Sequence, residues 1–383
     1  MRLTARGRSL DVAAVIALTA VAALATASAW SGAVTWTTDG CFYEAKTLQL
    51  RGTPAEQARK IAFASETFCG SSSETAREAA AGVVATPAWT RYSARFYRRR
   101  LLVPAAAAAI SPIFHDRSLE IVGLLGYVAA AVALYALLRL RFARVSSLVA
   151  TTAAILIPQY RVTMMLPLTD SWGVALETAA LICAFVYLRD GSRRLLGAWL
   201  LTIVALAFVR DNAPVAVVAV AVAAGALRRK LAAVVGGALA AVVPSVLFGL
   251  HYRVLLAYTL DKSQIPPSTS WRWSLHHYLP RAVAMLRSWV TPTRHGVPPA
   301  TALALAIGLA GLVLTRTQAG ELRRLALGTL LGSALLLLSL PQPGFRIAFV
   351  VLPAVAVGYA GLLERSAGGL RRVVRRPARL ADA

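Results

Sequence analysis

The amino-acid sequence predicts an all-α fold: a polytopic membrane helix bundle of about ten transmembrane helices with a large first extracytoplasmic loop. Three observations carry that prediction. Hydrophobic residues make up 57% of the chain and charged residues 15%, with a mean hydropathy of +0.61. A soluble domain carries about 25% charged residues and has no core large enough for so much apolar surface. The apolar residues come in long blocks separated by short arginine-rich punctuation, as membrane helices are laid out and amphipathic core helices are not. The punctuation is also asymmetric, with basic residues concentrated in alternate loops.

In chain order the candidate spans are 12–34, 119–138, 145–160, 171–188, 195–209, 214–227, 231–250, 300–314, 325–340 and 347–363. The shorter ones must borrow flanking residues to cross ~30 Å of hydrocarbon at ~1.5 Å per residue. The first follows Arg2, Arg6 and Arg8, and Ala27-Ser28-Ala29 looks like a cleavage site. Its apolar run is longer than the ~7–15 residues of a signal peptide, which favours a retained span. Cleaved or not, it leaves residues 35–118 outside.

Segment 101–114 is apolar but short and contains Pro104 and Pro112, which suits an interfacial or re-entrant helix. Charge supports that choice. With 101–114 off the membrane path, the N-terminus, the tail (364–383) and four short loops share one side and hold 21 basic residues. The short loops opposite hold three, Arg161, Arg210 and Arg346. Making 101–114 a span would turn the basic loops outward, against the positive-inside rule. The chain is therefore expected as a single membrane domain (1–383) in the cytoplasmic membrane, with both termini cytoplasmic.

The +24 formal charge points away from nucleic acid, because the arginines sit at block ends and form no stripe on a soluble face. Lysine supplies 4 of the 41 basic residues, which with the abundant alanine suggests a GC-rich bacterial genome. Two long outer loops, 35–118 and 251–299, carry polar mass that a plain bundle does not need. Cys41 and Cys69 share the first, 28 residues apart. A disulfide is expected there, worth about 3–4 kcal/mol in the chain-entropy model, and the alternative is two unpaired thiols. Cys183 lies in a span and reads as a packing residue.

The candidate chemistry belongs to the outer loops. Thr37-Thr38-Asp39-Gly40-Cys41-Phe42-Tyr43-Glu44 follows the first span. A carboxylate at that depth can act as base toward an acceptor hydroxyl or hold a divalent cation; otherwise Asp39 caps the helix that follows. Asp170 opens the fourth span in Leu168-Thr169-Asp170-Ser171 and has the same capping alternative. Arg210-Asp211-Asn212 links the fifth and sixth spans. Its arginine can bind phosphate through a bidentate fork, or the turn is simply solvated.

Together these elements resemble the GT-C superfamily of membrane glycosyltransferases. Thr38-Asp39-Gly40 with Tyr43 looks like the family's first-loop motif, and Tyr97-Arg98-Arg99-Arg100-Leu101-Leu102-Val103-Pro104 is similar to its Arg-x-Leu-x-Pro stretch. Leu168-Thr169-Asp170-Ser171 resembles the Thr-Asp pair opening the fourth span, and Phe208-Val209-Arg210-Asp211-Asn212 the charged turn two spans later. Gly40 stands where many members carry a second acidic residue, and Arg210-Asp211 replaces the usual Arg-Glu. The resemblance implies inverting sugar transfer from a polyprenyl-phosphate donor to a cell-envelope glycan, lipid or protein acceptor at the outer membrane face. It implies Asp39 and Asp170 as the catalytic carboxylates and Arg210 as a phosphate contact; beside these, Tyr43, Glu44, Arg98, Arg99, Arg100, Asp211 and Arg346 are the candidate substrate contacts on the same face. A divalent cation is admissible as cofactor, with no metal-ligand cluster assigned.

The second long loop adds Trp271, Trp273, Tyr278, Trp289, His276 and His277, which can stack on sugar or form an interfacial aromatic belt. Adjacent His276 and His277 point about 100° apart on a helix, a poor two-ligand metal site. Arg346 opens the last span, where an arginine commonly snorkels. A transporter or flippase of a lipid-linked substrate, and a non-catalytic scaffold of the same fold, are the alternative readings. The spans hold almost no charge apart from Glu177, and no internal repeat is visible, which favours the transferase over a transporter.

Overall fold

The computed structural model describes residues 5–30, 36–65, 67–69, 97–164, 166, 168–249, 256, 260, 270–290, 297–315, 320–340 and 349–380. Among them there is no strand, and the chain folds as α1 (Ala5–Trp30), α2 (Thr38–Leu50), α3 (Ala55–Ala64), α4 (Leu102–Phe114), α5 (Ser118–Arg139), α6 (Arg144–Ile155), α7 (Pro158–Met164), α8 (Asp170–Asp190), α9 (Arg193–Val209), α10 (Ala213–Val222), α11 (Leu227–Leu247), α12 (Trp271–Val290), α13 (Pro299–Leu314), α14 (Gly320–Ser339) and α15 (Leu352–Leu380).

Six helical stretches among the described residues are long and apolar enough to cross a membrane: Ser9–Ala27, Leu102–Arg139, Asp170–Asp190, Leu227–Leu247, Gly320–Ser339 and Phe349–Ala367. This is the architecture of a helical membrane protein. The helices of the other four expected spans, α6, α9, α10 and α13, are shorter, α9 with 17 residues. The 10 residues of α10 rise only about 15 Å, half of a ~30 Å hydrocarbon layer. Six of the ten expected spans therefore reach full length as helices.

Segment 101–114 forms α4, and the apolar run that joins it to α5 is not straight. His115 takes φ 48°, ending α4, and a short turn His115–Arg117 leads into α5. α4 then packs back along α5 and against α2. Its Val103, Ala107 and Ser111 are buried, while Leu102, Ile113 and Phe114 are exposed.

At the centre of the bundle, α8 packs against both α5 and α9, and α15 against α13, α6 and α14. Small residues let these helices approach closely, the usual device where lipid removes any hydrophobic advantage to association. A Cβ on Gly358 of α15 would overlap the Gly308 carbonyl oxygen of α13, and one on Gly332 of α14 would lie 2.8 Å from the Val215 carbonyl of α10. Trp199 is fully buried and donates its indole N–H to the Ala233 carbonyl at 3.0 Å, joining α9 to α11.

One end of the bundle gathers the arginine-rich loops. Asp11 accepts from Tyr135 at 2.7 Å, Arg139 at 3.2 Å and Arg144 at 2.9 Å, fastening α1 to the α5–α6 corner. Arg141 pairs with Glu321, Glu364 accepts from the Ala143 N–H at 2.8 Å, and Arg229 donates to the Arg189 carbonyl at 2.7 Å. Ala14, Leu18 and Ala22 of α1 are buried in the same core as α5 and α6, so α1 is an integral part of the bundle.

Replacing Gly358 by alanine is expected to lower stability by about 1–3 kcal/mol through overpacking. Gly197→Ala, inside α9 and with an added Cβ that meets nothing within 4 Å, is expected to stabilise slightly, by up to about 1 kcal/mol. Thermal unfolding of the two variants in detergent reads the difference.

Candidate functional site

The first loop packs on a second apolar cluster, which it shares with Val122 of α5, with Leu168 and with Val209 of α9. Trp36, Cys41, Phe42, Tyr43, Phe68, Cys69 and Tyr97 are buried there with Val103 and Leu119. Cys41 and Cys69 form the expected disulfide, with Cα atoms 5.9 Å apart. The rings of Phe42 and Tyr97 stack at 4.5 Å, and Tyr43 meets Tyr97 edge-on at 5.4 Å. This packing fixes the orientation of α2, and with it the residues that α2 presents.

Thr37, in extended conformation, caps α2 by accepting the Gly40 N–H at 3.2 Å. The alternative in which Asp39 is the cap is thereby set aside. Asp39 sits in the first helical turn, half-buried, and its carboxylate accepts from the Tyr97 hydroxyl. Asp170 likewise does not cap α8: Thr169 holds the cap position, and Asp170 forks with Arg210 through two contacts of 2.9 Å.

The remaining motif residues close around Asp211. Arg99 and Arg100 donate to its two carboxylate oxygens. Arg100 also donates to the Tyr43 hydroxyl at 2.7 Å, and that hydroxyl lies 3.2 Å from Thr169 Oγ1. Asn212 donates to Glu177 at 2.5 Å. Residues from α2, the turn that leads into α4, the start of α8 and the α9–α10 turn thus share one hydrogen-bonded layer. Glycine makes room for part of it, since a Cβ on Gly126 would lie 2.5 Å from the Ser171 hydroxyl.

Arg99, Arg100 and Asp170 are buried, whereas Arg98 is exposed beside them. Burial alone would raise the Asp211 carboxyl, but the charges of Arg99 and Arg100 outweigh it and hold the group well below the usual range. Glu44 is 1% exposed and stands apart from the layer, its Oε2 having no hydrogen-bond partner among the described residues. Burial, reinforced by Asp116, pushes its carboxyl up to about 7.

Arg346 and residues 70–96 lie outside the described residues. His276 and His277 sit on α12, where His277 stacks on Trp273 at 4.3 Å, and no contact joins them to the layer among the described residues. No group of three or more His, Cys, Asp or Glu that could hold a metal occurs among the described residues. Tyr97, Thr169, Asn212 and Glu177 take part in the layer without having been singled out as site residues. For Glu177 the signal was present: it falls two turns after Asp170, on the same face of α8. Comparison with family models, known proteins and solved structures finds no match for the chain.

Two outcomes follow. A carboxyl raised from 4.5 to about 7 in the folded state holds its proton more tightly than the unfolded chain does. Its contribution to stability is full below pH ~4.5 and falls as pH rises toward ~7, by about 3 kcal/mol in all. Glu44→Gln should match wild type at pH 5 and unfold at a higher temperature at pH 8. Asp211→Ala removes the carboxylate shared by two buried guanidinium groups, and is expected to cost about 3–5 kcal/mol in a denaturation series.

Proposed function

We propose that the protein is a GT-C-like glycosyltransferase that moves a sugar from a polyprenyl-phosphate donor to a cell-envelope acceptor at the outer face of the cytoplasmic membrane. The observation that carries this reading is the meeting of Asp39, Tyr97, Arg98–Arg100, Asp170 and Arg210–Asn212 at one end of the bundle. These are the four motif segments on which the resemblance rests, and more than 170 positions separate the first from the last. The arginine-rich loops gather around Asp11, Glu321 and Glu364 in a separate cluster. The reading includes ten spans with both termini cytoplasmic, and the charge asymmetry of the loops supports it.

Asp39 is the base. Its carboxylate is half-buried and oriented by the Tyr97 hydroxyl, so it can take the proton of an acceptor hydroxyl at the membrane surface. The acceptor oxygen then forms its bond to the anomeric carbon as the bond to the lipid phosphate oxygen breaks, with inversion. The phosphate leaves carrying the electron pair. Arg98, the exposed member of the arginine run, meets that charge directly. The buried Arg99 and Arg100 are held by Asp211, and Arg210 by Asp170, so their part is to set the shape of the floor beneath it.

Given polyprenyl-phosphate sugars and candidate envelope acceptors, purified protein in lipid is expected to transfer sugar. Asp39→Asn should reduce turnover by about 100- to 10,000-fold, and Arg98→Ala should act mainly on donor KM. Equal turnover by wild type and Asp39→Asn removes Asp39 from the mechanism. Flux of the lipid-linked sugar into vesicles without transfer selects the transporter. Labelling of a cysteine at position 105 from the cytoplasmic side overturns the topology.

A further inference from the structure

α12 is the one long helix of the second loop among the described residues, and its exposed large apolar residues fall on one side, with Arg272 among them at the helix start. Leu275 is 70% exposed, Leu279 67%, Leu286 56% and Val283 38%, and Trp271 joins them at the helix start. At helical spacing these five fall within roughly a 120° arc. Ser274 and Met285 are buried on a neighbouring arc, turned toward the body of the protein. His276, Ala284 and Arg287 are exposed beyond the other edge of the stripe.

The level of α12 is marked by a contact. Tyr278 donates its hydroxyl to the carbonyl of Leu338, in the last turn of α14, a helix long and apolar enough to span a membrane. That last turn is where a spanning helix leaves the hydrocarbon, so α12 sits at the height of the lipid headgroups. A stripe of leucines left open in water there would be an unusual exposed patch, whereas at a bilayer boundary it has a ready solvent. Arg272 and Arg287 lie at its two ends, where long cationic side chains reach lipid phosphates while their stems stay apolar.

We infer that α12 is an interfacial membrane helix whose Trp271–Leu275–Leu279–Leu286 stripe is inserted into the bilayer lipid at the end of α14. The partner is the lipid surface itself. The second loop is thereby held down against the membrane, and its aromatic residues serve as anchors. This holds on whichever side the loop faces, and it does not depend on sugar transfer.

The test uses the full-length protein with Cys183→Ser and the Cys41–Cys69 bridge intact. Single cysteines at 275, 279, 286, 276 and 284 would carry an environment-sensitive fluorophore. The protein would be reconstituted in phosphatidylethanolamine–phosphatidylglycerol vesicles. Lipids bearing a nitroxide near the headgroup are expected to quench the probes at 275, 279 and 286 severalfold more than those at 276 and 284. Aqueous iodide should show the reverse order. Iodide quenching at 275 and 279 as strong as at 276 overturns the inference. Protection of 275 and 279 from both quenchers also overturns it, because the stripe is then covered by protein.

Discussion

A single carboxylate between two buried guanidinium groups is the contact on which the arrangement of the site depends. Arg99 and Arg100 leave the first loop side by side, each only about 5% exposed, and Asp211 on the α9–α10 turn receives both. Taking such groups out of water carries a penalty of several kcal/mol per ion, which only close, well-directed pairing offsets. The pairing therefore does more than hold two segments together. It obliges the end of the first loop to sit over the α9–α10 turn, since any other docking would leave buried charge behind. Arg100 then reaches Tyr43, and Tyr43 reaches Thr169, so α2 and the start of α8 are brought into the same register.

The loop can meet that demand because it has an apolar cluster to pack on. The Cys41–Cys69 bridge and the Trp36, Phe42, Phe68 and Tyr97 rings fix α2 there. Below the layer the constraint is of another kind. The helices gain nothing from hiding apolar surface from lipid, so they pack through close backbone approach at Gly308, Gly332 and Gly358 and through a few buried polar contacts. The Glu177–Asn212 contact belongs to this set and links the two regimes. It ties the body of α8 to the residue that follows Asp211.

The helical class was legible in composition because apolar blocks of membrane length have no other common explanation. The identity of the site segments was legible too, since each opens or closes an apolar block and contains charge. Helix length was less so. α6 and α10 end at Leu156 and Ala223 although apolar residues continue, because chain ends respond to packing and capping that hydropathy does not encode. The sequence also could not tell a capping carboxylate from a paired one. Thr37 and Thr169 stand one or two residues ahead of Asp39 and Asp170, and only the folded chain shows that the threonines hold the cap positions. The bend at His115 was foreshadowed by Pro112 but depends on a left-handed residue that carries no glycine signal.

Pairing changes what the arginines can contribute to binding an anion. A free arginine at the surface attracts phosphate at the cost of its own hydration and rotamer freedom. Arg99 and Arg100 have already lost both and Arg210 part of them, and their carboxylate partners neutralise most of the field they would otherwise project. An incoming phosphate has two ways to gain from them. It can displace a carboxylate, which would strand a buried aspartate and so is costly. Or it can settle on hydrogen-bond donors at the edge of the layer, with Arg98 as the exposed charge and the buried pairs as its base. The second route keeps every buried ion matched throughout a binding cycle. It also accounts for an arrangement in which one arginine of three consecutive ones faces solvent while its neighbours are sealed beneath it.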